Sequence, residues 1–243
     1  MFTHEKLRFL LEKYSDSVNF WISYSGGLDS QVLLHALKHL LPVTRLRAIH
    51  INHSWHVDAI KWAERCQHSC EQLGIYCEVI TVDARPKAGE SPEAYARQAR
   101  YKAIAKRIPA GDYLLTAHHR DDQAETLLLQ LLRGSGLRGL ASMPFCQPFA
   151  KAYLMRPLLK FSRAELYAYA KEQQLIWIED SSNMDLRFNR NFIRHQVLTL
   201  IQQRWPQANK TLARTAENTS EAHCLLEEIA YEDWRAVQGP VFN

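Results

Sequence analysis

No Cys-x-x-Cys pair occurs in this 243-residue sequence, whose five cysteines, Cys66, Cys70, Cys77, Cys146 and Cys224, are odd in number and scattered. That pattern suits neither a disulfide framework nor a zinc ribbon, and it predicts reduced, mostly buried thiols. No uninterrupted apolar run approaches a membrane span, and the opening residues Met1 to Lys6 are largely polar. Neither a membrane anchor nor a secretion signal is legible, and a cytoplasmic location is expected. Gly-x-x-x-x-Gly-Lys-Ser/Thr, the usual nucleoside-triphosphate loop, is missing, as is Gly-x-Gly-x-x-Gly from the first strand-to-helix turn. Internal repeats and low-complexity segments are also lacking. Neither charge sign dominates: the net charge is +4, and the 47% hydrophobic content is enough for one main domain with a sizeable core.

Against these absences stands Tyr24-Ser25-Gly26-Gly27-Leu28-Asp29-Ser30. The residues before it, from Val18, are mostly β-branched or aromatic, and those after it, from Gln31, carry apolar residues at helical spacing. A glycine turn between a strand and a helix delivers backbone amides to a helix N-terminus, where unpaired N–H groups and aligned peptide dipoles favour an anion. Ser25 and Ser30 can donate to phosphate oxygens. Asp29 needs a cation between itself and phosphate, and Mg²⁺ is the expected bridge. The plainer reading of the segment is a strand-to-helix turn capped by Asp29 or Ser30.

Further strands are expected over 46–51, 76–82 and 113–117, with helices over 57–73, 92–108, 121–133 and 162–174. The alternation predicts an α/β fold: a doubly wound, mostly parallel sheet of about five strands with helices on both faces, plus a C-terminal helical segment over about 208–236. Pro144, Pro148 and Pro157 interrupt a stretch that reads either as irregular chain or as a small hairpin. In such sheets ligands sit beyond the carboxyl ends of the strands. The Ser25 loop, the His50 to His56 segment and the His118 to Asp122 segment should therefore converge on one crevice.

His118-His119-Arg120-Asp121-Asp122-Gln123-Ala124-Glu125-Thr126 concentrates ionisable groups at a strand end. It reads as a reaction centre or, more plainly, as a helix cap with Glu125 an ordinary first-turn carboxylate. Arg97 and Arg100 lie three apart on one helix face, where two guanidiniums can grip phosphate. Arg133-Gly134-Ser135-Gly136 reads partly as a helix C-cap. His50, His53 and His56 are spaced three apart, which suits no common zinc site. Arg187, Arg190, Arg194 and Arg204 gather late in the chain, a placement compatible with nucleic-acid phosphates or with a solvated surface.

Ser-Gly-Gly-x-Asp-Ser resembles the pyrophosphate loop of the N-type ATP pyrophosphatases, which cleave ATP between its α and β phosphates. Four further motifs narrow the resemblance: His-His-x-Asp-Asp-Gln-x-Glu-Thr at 118–126, Arg-Gly-Ser-Gly-x-x-Gly-Leu at 133–140, Arg156-Pro157-Leu158-Leu159, and Glu179-Asp180-x-Ser182-Asn183 followed by Arg190-Asn191-x-Ile193-Arg194. Together they are similar to the tRNA(Ile)-lysidine synthetase family over about residues 18–200. The resemblance implies an adenine nucleotide alpha hydrolase-like fold and a ligase. That ligase joins free lysine to C2 of the wobble cytidine of a CAU-anticodon tRNA(Ile), with ATP as co-substrate and Mg²⁺. It further implies that Ser25, Gly26, Gly27, Leu28, Asp29 and Ser30 bind ATP, that Asp29 holds the metal, and that Asp29, Asp122, Asp121 and Arg97 act in catalysis. Arg100, Arg133, Asn183, Arg190, Asn191 and Arg194 would contact tRNA or substrate. Residues 1–205 are expected to form the catalytic domain. Residues 206–243 are expected to form a helical extension that begins an absent C-terminal tRNA-binding region. Family members commonly carry His-x-x-His-Gly-Leu where this chain has His50-Ile51-Asn52-His53-Ser54-Trp55, which puts contacts there in question. A tRNA thiolase of the same superfamily and a non-catalytic nucleotide- or tRNA-binding module are the rival readings. The oligomeric state is left open, a homodimer included.

Overall fold

The structure is a computed structural model that describes residues 1–14, 18–52, 58–83 and 92–238. They form two compact units, each assembled from two stretches of chain: Met1–His119 with Phe145–Asp180, and Arg120–Pro144 with Ser181–Asn243.

The first unit is built on a six-stranded sheet. Its strands are β1 (Phe20–Ser23), β2 (Leu46–Asn52), β3 (Tyr76–Thr81), β4 (Tyr113–Leu115), β5 (Cys146–Phe149) and β6 (Ala152–Met155), in the order β3-β2-β1-β4-β6-β5. Every pairing is parallel except β5 with β6. Because side chains alternate across a strand, the sheet feeds two cores. Phe20, Ile22, Leu46, Ala48, Leu115 and Met155 join the larger one. Ile49, Ile51, Leu114, Ala152 and Leu154 join the smaller one on the other face. The larger core is closed by α1 (His4–Leu11), α2 (Leu28–Leu40), α3 (Ala59–Gln72) and α7 (Arg163–Glu172). The smaller core takes Ile104 from α4 (Pro92–Ala105). Helices thus cover both faces, as the βα alternation requires.

The sequence predicts about five strands, and the sixth is the short edge strand β5, which makes the proline-rich stretch a hairpin. Pro148 has no N–H to give a ladder, so it punctuates the sequence, yet at an edge it pairs opposite Tyr153 without loss. Helix α7 begins with a capping box in which the Ser162 hydroxyl accepts from Glu165 N and the Glu165 carboxylate accepts from Ser162 N.

The second unit is helical. It contains α5 (Arg120–Leu132), α6 (Leu137–Leu140), α8 (Asn189–Phe192), α9 (Leu198–Arg204) and α10 (Ala208–Gln238), with a π-turn over Ile193–Val197. Helix α10 packs along α5 and α6, and α5 also meets α8 and the π-turn. No helix among the described residues is long and apolar enough to cross a membrane.

Candidate active site

In the first unit the chain reverses direction across the sheet between β1 and β4, the topological switch point at which open α/β sheets hold ligands. The Ser25 loop leaves the carboxyl end of β1, and His118 and His119 follow β4. Gly26 has φ +78°, a left-handed conformation that glycine adopts without strain. A side chain there would also meet Ile178 Cδ1 at 2.6 Å and Cys66 Sγ at 2.8 Å. The Gly26 carbonyl accepts from Ile178 N at 2.9 Å, which pins the loop to the unit.

The loop is tied internally as well. Ser30 Oγ donates to Gly27 O at 2.9 Å and accepts from Ser25 N at 3.3 Å, and Gly27 N donates to Ser25 Oγ at 3.4 Å. Gly27 caps α2, and the first helical hydrogen bond runs from Gln31 N to Gly27 O. The N–H groups of Leu28, Asp29 and Ser30 precede that bond, so they present a ready cradle for an anion. Burial, with the thiol Cys66 beside it, pushes the Tyr24 hydroxyl far above its ordinary pKa, and it donates to Gln31 Oε1.

Asp29 stands on the first turn of α2 with Oδ2 at 3.6 Å from Nε2 of the buried His119. Its Oδ1 is buried and has no hydrogen-bond partner among the described residues. A buried carboxylate oxygen without a donor is costly unless a cation meets it. His50 faces the same strand end, where its Nδ1 lies 2.9 Å from Tyr24 O. Burial holds its pKa below the ordinary histidine value against that hydrogen bond. His50 is thus a satisfied neutral ring. His53, His56, Ser54 and Trp55 lie outside the described residues. The His118 ring bonds Thr116 Oγ1 at 2.8 Å.

In the second unit α5 carries Asp121, Asp122 and Glu125 on its first turns. Glu125 is buried and accepts from Arg190 Nε at 2.7 Å and Arg194 Nε at 2.6 Å. Asp122 Oδ1 accepts from Arg190 Nη2 and from Arg194 Nη2, each at 3.1 Å. Two carboxylates and two guanidiniums therefore meet in one cluster of ion pairs. Burial alone would lower the Arg190 pKa, but Asp122 and Glu125 outweigh it and raise it. Asn209, from α10, donates to Asp121 Oδ1.

Asn191 is buried, and its Nδ2 donates to Ser182 O and to Asp185 O at 2.9 Å each, a tie between chain segments. The Asn183 carbonyl faces His195 Nε2 at 3.0 Å. Arg133 is exposed after α5, and Gly134, at φ +68°, ends that helix as the C-cap reading requires. Arg97 and Arg100 of α4 both lie over the ring of Tyr101, at 5.0 and 5.3 Å from its centroid. The sequence reading did not find the packing of Ile178 on Gly26, the pairing of Asp29 with His119, or the part Glu125 plays in binding two arginines. No local signal marks the first two. Glu125 stands inside the 118–126 motif, which marks it in the sequence.

Residues 2–201 match the PP-loop domain family. The chain is 43% identical over 242 residues to the tRNA(Ile)-lysidine synthase of Coxiella burnetii, covering 98% of this chain and 54% of that protein. With the tRNA(Ile)-lysidine synthase of Xanthomonas axonopodis pv. citri it shares 50% identity over 208 residues, 84% of this chain and 47% of the relative. The chain thus spans about half the length of the curated relatives it matches. Among solved structures, the U34-tRNA thiolase NcsA from Methanococcus maripaludis, with its 4Fe-4S cluster, superposes with a TM-score of 0.71 at 18% identity. That alignment covers 90% of this chain and 77% of the thiolase, and at such identity the likeness extends to the fold. By the match over residues 2–201 and the glycine loop at the switch point of its sheet, this chain belongs to the PP-loop domain family.

Proposed function

We propose that this chain carries the ATP-dependent ligation of free lysine to C2 of the wobble cytidine of a CAU-anticodon tRNA(Ile), in the cytoplasm. The observation that carries the reading is the Ser25–Ser30 loop, with its open amides and the orphaned Asp29 Oδ1, in a chain so close in sequence to tRNA(Ile)-lysidine synthases. In the first step the cytidine O2 attacks the α-phosphorus of ATP and pyrophosphate leaves. The amides of Leu28, Asp29 and Ser30 and the hydroxyl of Ser25 stabilise the charge growing on that leaving group. Gly26 and Gly27 let the phosphates approach the backbone. The donor set fits Mg²⁺, which takes one or two protein carboxylates together with phosphate oxygens, and Asp29 would hold it. When bound, the ion neutralises charge on the phosphates.

In the second step the lysine amine attacks C2 and AMP leaves. The ε-amino group has an ordinary pKa of about 10.4, so it must lose a proton before it can attack. Asp122 and Asp121 are the carboxylates proposed to position it and take that proton. Asp122 Oδ1 is already taken up by two guanidiniums. The acceptor role therefore falls better to Asp121, one of whose partners is the neutral amide of Asn209. Arg97, Arg100 and Arg133 are proposed to meet phosphates. Arg190, Arg194, Asn183 and Asn191 are proposed to shape the substrate side of the second unit. Residues 1–205 would form the catalytic domain and 206–243 its helical extension.

Labelled lysine, ATP and Mg²⁺ supplied with a CAU-anticodon isoleucine tRNA transcript test the reading, with the methionine tRNA of the same anticodon alongside. Label is expected in the isoleucine tRNA alone. Asp121→Asn should slow incorporation by about 10² to 10⁴-fold while adenylate still forms. Nucleotide binding with neither AMP release nor label would sink the proposal in favour of a non-catalytic module.

A further inference from the structure

Helix α9 is capped by Trp205, and α10 begins at Ala208. The corner between them is stiff. Trp205 N donates to Ile201 O and Ala208 N donates to Trp205 O, each at 2.9 Å, and Pro206 restricts the backbone of the residue before it. Inside the corner lies a cavity of about 400 Å³, within the roughly 300–1,000 Å³ usual for small-molecule pockets. Ile201, Ala208 and Leu212 contribute to its walls, which are almost wholly apolar. Trp205 lines it too, yet is 63% exposed, and its indole has neither a hydrogen bond nor a ring contact among the described residues. A tryptophan that served only to anchor the corner would be covered.

Charge indicates what the cavity takes. Between residues 186 and 216 the chain carries Arg187, Arg190, Arg194, Arg204, Lys210 and Arg214 and no Asp or Glu. Asp185 takes up Arg187, and Asp122 and Glu125 take up Arg190 and Arg194. Arg204, Lys210 and Arg214 are exposed and pair with no carboxylate among the described residues. Arg204 lines the cavity, while Lys210 and Arg214 stand one turn apart near the start of α10. Gln207, also on the lining, has a side-chain amide that no protein group occupies among the described residues. An uncovered aromatic ring with free cations beside it suits a flat heterocycle that carries phosphate on either side.

We propose that the Trp205 cavity is a nucleobase site, in which an unpaired base of the substrate RNA stacks on the indole and Arg204 holds an adjoining phosphate. The site rests on the proposed function for its RNA and is built wholly within the second unit. The apolar wall accepts the face of the base, and the Gln207 amide offers one donor group and one acceptor to its edge.

Ultraviolet irradiation of the full chain with a CAU-anticodon isoleucine tRNA transcript should crosslink Trp205 to the RNA, as mapped by mass spectrometry. Trp205→Ala should weaken binding of the transcript about 5- to 150-fold, the range of one stacked base, and Trp205→Phe should keep most of the affinity. Arg204→Gln should make the salt slope shallower by about 0.7. All three side chains removed are exposed or replaced by a ring, so melting temperatures and ATP affinity should stay near those of the parent. Wild-type RNA affinity of Trp205→Ala, or no crosslink at Trp205, overturns the site. So does a wild-type dimer that Trp205→Ala turns into monomer with RNA affinity unchanged, which would make the cavity a contact between copies. Neither readout needs lysine or turnover. A crosslink at Trp205 in a chain that fails to incorporate lysine would remove the proposed reaction and leave the site standing, and normal incorporation without the crosslink would do the reverse.

Discussion

Gly26 and Gly27 are adjacent, yet substitution should separate them. Alanine at Gly26 must adopt a left-handed backbone, costing about 1–2 kcal/mol, and its methyl would press on Ile178 and Cys66. Gly27 has φ −72° and would bring a methyl no closer than 3.5 Å to Ser25 Oγ. Thermal denaturation is expected to show Gly26→Ala clearly destabilised and Gly27→Ala within about 0.5 kcal/mol of the parent. Both should bind ATP more weakly, the first through a displaced loop and the second through a methyl that keeps the phosphates off the backbone. The chemistry of this loop was legible because it is local: six consecutive residues hold the turn, the donors and the carboxylate. What makes Gly26 irreplaceable was not legible, since Ile178 lies far along the chain and only folding brings it against the loop.

Among the elements, α5 shows the same limit more sharply. Its start, length and apolar face follow from spacing, and Glu125 reads naturally as a first-turn carboxylate favoured by the helix dipole. Its actual partners, Arg190 and Arg194, are 65 and 69 residues away, so no window along the sequence contains the cluster. The π-turn that carries Arg194 between α8 and α9 left no signal either, because it is a change in winding rather than in composition. Removing the buried Glu125 carboxylate leaves two partly buried guanidiniums with Asp122 alone of this pair of carboxylates. Glu125→Gln is therefore expected to destabilise the second unit by about 3–5 kcal/mol, read as a lower denaturant midpoint. Chemical denaturation that leaves this variant indistinguishable from wild type would contradict the cluster. The β5–β6 hairpin was left open by the sequence for a related reason, in that Pro148 is a breaker in an interior strand and harmless at an edge.

For the whole molecule, stability should depend on pH through the histidines that fold neutral. Burial, then His39, His4 and Lys38, bring His35 down to about 4, and its Nδ1 lies 2.8 Å from the Tyr169 hydroxyl. Burial first, with His39 and Arg8, lowers His4, and burial lowers His50. In the unfolded chain these rings take protons near pH 6.5, above where they do so when folded. Their contribution is complete above that pH and drains away as pH falls from about 6.5 toward 4. His35→Gln, which can still bond Tyr169, should flatten the melting temperature over that window, and an unchanged slope would refute it.

The division of the chain into interleaved stretches also sets an order of events during synthesis. The sheet cannot close until β6 has left the ribosome, because β6 sits between β4 and β5. Residues 120–144, already extruded, belong with partners that begin at residue 181. At about 5–20 residues per second, α5 waits several seconds for α8 and longer for α10, the helices it packs against. A nascent chain paused in that interval presents an unpartnered amphipathic helix, so the rate of translation through residues 133–207 bears on how much of the protein escapes aggregation.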